Sequence, residues 1–185
     1  MANTSFDEFV QREQQAIKIR EEKPVDWEAE KDAWLRNLDK LFDMVNGFLK
    51  PYIEAGQVSI SYRDIKLNEE YIGSYLAKEM LVTIGRKTVR LVPIGTLLIG
   101  SKGRVDIEGP VARAQLILLN SEVKSLSQLL HVSVSTDGKP ASPPASKKPS
   151  QINWVWRILT RPPRREIVEI SKESFLNLLT EISNG

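Results

Sequence analysis

The chain is 185 residues long, 41% hydrophobic and 27% charged, with no cysteine and one histidine. That composition suits a soluble globular domain with one sizeable core. It excludes disulfide scaffolds, thiolate zinc sites, iron–sulfur clusters, thiol catalysis and multi-histidine metal sites. The formal net charge of +2 gives no argument for bulk affinity to nucleic acid or membranes. It is, however, a cancellation. Residues 1–80 hold 11 basic and 16 acidic side chains (net −5), and residues 81–185 hold 15 and 8 (net +7).

The first predicted element is a helix over the opening residues. Ser5 and Glu8 form a capping box, with Phe6, Phe9, Val10 and Ile17 on one face and Pro24 as the stop. This helix is expected to be peripheral over residues 1–24. The first ten residues hold Asp7 and Glu8 and no base, so no signal peptide is read there, and no run is long and apolar enough for a membrane span. A cytoplasmic location is the expectation.

The second helix is the clearest. Asp26 can cap it, and Trp27, Trp34, Leu35, Leu38, Leu41, Phe42, Val45, Phe48 and Leu49 recur at three- and four-residue steps. Pro51 disturbs its end and Gly56 can terminate it. The stripe from Trp34 to Phe48 needs a broad apolar surface opposite, which the following strands would supply.

Residues 57–62 alternate as a half-buried strand. Asp64 to Lys78 fits either a strand extension or a helical turn, with Glu69-Glu70 as turn surface. From Met80 the pattern is a meander: Leu81–Ile84, Val89–Val92, Thr96–Ile99, Arg104–Ile107 and Ala112–Leu119. The turns contain glycine and are short, which indicates antiparallel pairing. A short helix within residues 121–130 and a strand at His131–Val134 follow. Residues 135–151 hold four of the ten prolines and no large apolar side chain, the pattern of a flexible loop. Ile152–Thr160 and Glu166–Ile170 read as strands. Ser171 caps a final helix with Phe175, Leu178, Leu179 and Ile182 on one face.

These elements constrain the chemistry. His131 sits between apolar neighbours with no Gly-x-Ser-x-Gly elbow in the chain, so a hydrolytic triad has no support. Asp106 and Glu108 share a strand face, but Arg104 shares it too and would neutralise them. Ile99-Gly100-Ser101-Lys102-Gly103-Arg104 resembles the Gly-x-x-Gly loop of KH-type RNA-binding domains, where the loop joins two helices. Its flanks here read as strands, which makes it a hairpin loop with Lys102 exposed at its tip. No Walker or dinucleotide motif occurs, so no cofactor is expected.

The strongest binding candidate is the basic C-terminal region. Lys147, Lys148, Arg157, Arg161, Arg164 and Arg165 lie in a stretch, residues 138–165, without a single acid. Trp154 and Trp156 alternate within it. Exposed, they could stack bases while the cations meet phosphates. Buried, they would simply pack under a helix.

The expected fold is a single α+β domain over residues 1–185: an antiparallel, meander-like sheet of about six to eight strands against a long N-terminal helix and a C-terminal helix. By elimination, the expected function is a non-catalytic protein-interaction module whose partner is another protein, one with an acidic surface suiting the basic surplus. Candidate contacts are Lys147, Lys148, Trp154, Arg157, Arg161, Arg164 and Arg165. A nucleic-acid-binding domain using residues 139–165 is the first alternative, and a carboxylate-based enzyme built on Asp64, Glu69, Asp106 or Glu108 is the second. A homodimer is a further option, because Phe6 and Phe9 need a surface to cover them.

Overall fold

The computed structural model describes residues 25–96, 101–123, 152–160 and 166–184. A 28-residue helix α1 (Trp27–Glu54) leads into strands β1 (Val58–Glu69), β2 (Gly73–Ile84), β3 (Lys87–Gly95), β4 (Gly103–Glu108), β5 (Arg113–Asn120), β6 (Trp154–Leu159) and β7 (Ile167–Glu169). Helix α2 (Lys172–Asn184) follows. Each strand pairs antiparallel with the next, so the seven-stranded sheet has the order β1-β2-β3-β4-β5-β6-β7. The α+β meander with one helix before the sheet and one after it is the predicted fold.

Local chemistry sets the helix ends. The Asp26 carboxylate accepts from Ala29 N at 3.0 Å and fixes the start of α1. The helix runs three residues past Pro51, which has no N–H to give. It stops where Gly56 takes φ +69° and donates to Ile53 O. At α2, Ser171 Oγ accepts from Ser174 N at 3.1 Å, which is the predicted cap.

Period-two alternation then assembles the core. Met80, Val82, Val89, Leu91, Val105, Ile107, Leu116, Leu118, Trp156 and Ile158 are buried, and register places them on one sheet face. Against them lie Trp34, Leu38, Leu41, Phe42, Val45 and Leu49 of α1, with Phe175, Leu179 and Ile182 of α2. Each large side chain so buried is worth about 1.5–3 kcal/mol. Phe48 and Phe175, with ring centroids 6.0 Å apart, join the two helices.

The β1–β2 hairpin resolves the ambiguous stretch from Asp64 to Lys78. Both strands are 12 residues long and pair in unbroken register around a turn at Glu70, Tyr71 and Ile72. Val58, Ile60, Met80 and Val82 pack into the core from its base, whereas Ile65, Leu67, Tyr75 and Ala77, of opposite parity, pack from its outer half. No bulge intervenes, so the change of face comes from the strong twist of a two-stranded ribbon.

Three expectations need correction. The strand expected at Thr96–Ile99 does not include Thr96, which is a bend directly after β3, itself running to Gly95 past an irregularity at Pro93 and Gly95; residues 97–99 lie outside the described residues. Glu69 is not turn surface: it accepts from the Tyr75 hydroxyl, from Thr96 N at 2.9 Å and from Thr96 Oγ1 at 2.6 Å, tying the end of β1 to the end of β3. Lys102 is not simply exposed, because its ammonium pairs with Glu30 of α1. The helix expected over residues 1–24, the strand at His131–Val134 and the loop at 135–151 lie outside the described residues.

Candidate interaction surface

The Asp26 cap places Trp27 in the first turn of α1, where its ring stacks on Tyr71 of the β1–β2 turn, centroids 5.1 Å apart and 13° from parallel. Two turns on, Trp34 is buried against Trp156, centroids 6.0 Å apart. Trp156 also donates from Nε1 to Asn37 O at 3.1 Å. Two residues earlier on β6, Trp154 shares that sheet face and is half-buried. Lys102 extends from just before β4 to its ion pair with Glu30, and its Nζ stands 5.6 Å from the Trp154 ring centroid. All four tryptophans of the chain therefore gather at the N-terminal end of α1. Beside them a groove of about 270 Å³ runs between Asn37, Lys40 and Met44 of α1 and the strand bearing Trp154 and Arg157.

The sequence-predicted residues divide. Trp156 is 5% exposed and belongs to the core. Arg157 points to the opposite sheet face, as alternation predicts, and pairs with Glu169 across the β6–β7 ladder at 3.3 Å. Trp154 and Arg157 thus do not share a face. Lys147, Lys148, Arg161, Arg164 and Arg165 lie outside the described residues. Trp27, Glu30, Tyr71 and Lys102 join Trp154 at this end of the fold, and sequence reasoning misses them as its neighbours. Their meeting is long-range, and no local spacing signals it.

Of the carboxylate candidates, Glu69, Asp106 and Glu108 are held in ion pairs or hydrogen bonds, whereas Asp64 is exposed on β1. Asp106 takes Arg104 Nε and a terminal guanidinium nitrogen, each at 2.6 Å. On the same sheet face an alternating row of charge crosses five strands. Arg63 meets Glu79 at 2.6 Å, Glu79 meets Arg90 at 2.9 Å, Arg90 meets Glu108 at 3.1 Å, and Glu108 meets Arg113 at 3.8 Å. Glu79 has no exposed surface. Its Arg90 partner, like the Glu30–Lys102 pair, joins the acidic half of the chain to the basic half. Neither the groove at Trp154 nor a second of about 260 Å³ between α1, β1 and α2 is lined by Asp64, Glu69, Asp106 or Glu108.

Among the described residues, no group of three or more His, Cys, Asp or Glu is placed to hold a metal ion, and no helix is long and apolar enough to cross a membrane. No family model, curated protein or solved structure matches the chain.

Proposed function

We propose that this chain is a non-catalytic protein-interaction module, of the adaptor, inhibitor or assembly-factor kind, and that the tryptophan-bearing end of the fold is its contact surface. The gathering of four tryptophans there carries the reading. Two are sunk in the core as a rigid base, while Trp27 and Trp154 are only half-buried and Tyr71 is 55% exposed. Tryptophan and tyrosine on a rigid support are the side chains that dominate protein–protein binding energy. The basic surplus of residues 81–185 suits a partner with an acidic surface.

The nucleic-acid reading keeps its charge argument through residues 139–165, but the burial of Trp156 removes half of the stacking platform it requires. The carboxylate-enzyme reading is weakened because Asp106 and Glu108 already hold arginine partners.

A photoreactive amino acid at Tyr71 tests this in cells, with one at Val111 as control. Val111 is 58% exposed, in the β4–β5 turn. Discrete protein adducts from position 71 and not from 111 are expected. Adducts to RNA or DNA would favour the alternative, and adducts to neither class would overturn the proposal.

A further inference from the structure

The two edges of the sheet differ. β7 is three residues long, whereas β1 offers 12 residues that, among the described residues, pair only with β2. An open strand edge is a row of unpaired N–H and C=O groups, a template for another strand. Charged side chains usually guard such an edge, and β1 carries Arg63, Asp64 and Lys66. Their order matters. A two-fold axis perpendicular to a sheet sets identical edges antiparallel, with residue i facing residue j and i + j even. Centring that axis on Arg63, Asp64 or Lys66 opposes like charges. Centring it on Ile65 faces Ile65 with Ile65 and places Asp64 opposite Lys66 twice. Both are exposed, and neither takes an ion pair among the described residues. Within the chain Asp64 also faces Lys78 across the β1–β2 ladder, so the second copy would complete a Lys78–Asp64–Lys66 row.

We infer that β1 pairs with β1 of a second copy of this chain, antiparallel about Ile65, joining two meanders into one continuous sheet. Ser61 through Glu69 take part, backbone hydrogen bonds supply the attachment, and the two Asp64–Lys66 contacts select the register. The inference stands on the edge of β1 and does not depend on the proposed role of the tryptophan end.

Sedimentation velocity over a rising concentration series tests it. The wild type is expected to shift from monomer to dimer. Asp64→Lys or Lys66→Asp alone should weaken the dimer about tenfold or more, since each replaces two attractive contacts with two repulsive ones. The double variant Asp64→Lys/Lys66→Asp should restore it. Both positions are exposed, and circular dichroism of each variant verifies that the fold is kept. A wild type that stays monomeric, a dimer the single reversals leave intact, or a double variant that stays apart would each overturn the inference.

Discussion

The indole of Trp34 lies on the backbone of Gly103, so close that a β-carbon there would stand 2.2 Å from Cζ3. The ring cannot retreat, since Trp156 lies on it and its own residue is 1% exposed. Gly103→Ala should therefore destabilise the fold by about 1–3 kcal/mol, the usual cost of overpacking. Gly47 is the matched control: it is helical, and a methyl group added to it would meet nothing within 4 Å. Gly47→Ala should stabilise by about 0.5–1 kcal/mol. Urea unfolding of the two variants measures both signs.

Trp156 and Trp154 should respond unequally to replacement by phenylalanine. Trp156→Phe loses the hydrogen bond to Asn37 O, worth about 1 kcal/mol, and leaves a gap in the core. Trp154→Phe loses neither. Chemical denaturation should rank Trp156→Phe as clearly the more damaging, and equal losses would contradict the burial of Trp156.

The row of charge on the far sheet face makes a third prediction. Glu79 is buried and depends on two arginines, of which Arg63 has a side chain 59% exposed and Arg90 39%. Arg90 also holds Glu108. Arg90→Met should cost more stability than Arg63→Met. The double variant, which strands a buried carboxylate, should cost about 3–5 kcal/mol. Thermal unfolding of the three proteins checks the order.

Tyr75 gives a pH dependence. Burial, then its hydrogen bond to Glu69, pushes its hydroxyl above the ordinary tyrosine range. Unfolded tyrosine ionises near about pH 10, so above that pH the unfolded state loses a proton that the folded state keeps. Stability from this group is full below about pH 10 and falls as the pH rises further. Tyr75→Phe should lose less stability than wild type on going to alkaline pH. The difference in urea midpoint between neutral and alkaline buffers tests this, with identical declines as the contrary result.

Much of the fold is legible in the sequence because its parts obey simple periods. The helical stripe of α1 and the alternation in β4, β5 and β6 each face one apolar surface. The β1–β2 hairpin is not, because its twist moves the core-packed positions from Val58 and Ile60 to the partly buried Ile65 and Leu67, and a fixed two-residue period fails midway. Thr96 reads as the start of a strand for the apolar content that follows it, which cannot reveal that β3 runs to Gly95 and gives way to a bend there. Of the candidate surface, the burial of Trp156 follows from its alternation with Ile158. The approach of Lys102 to Trp154 and Glu30 joins three distant segments and leaves no local trace.

The order of the sheet also bears on how the molecule comes together. Among the described strands, each from β2 onward pairs with the one before it, so loop-closure costs stay small from β1 to β5. The bond from Trp156 to Asn37 spans 119 residues and needs β6 in place. The sheet can grow hairpin by hairpin while the end that gathers the tryptophans waits for the sixth strand. A chain halted before that strand would carry most of its sheet and an α1 whose Trp34 still lacks its covering indole.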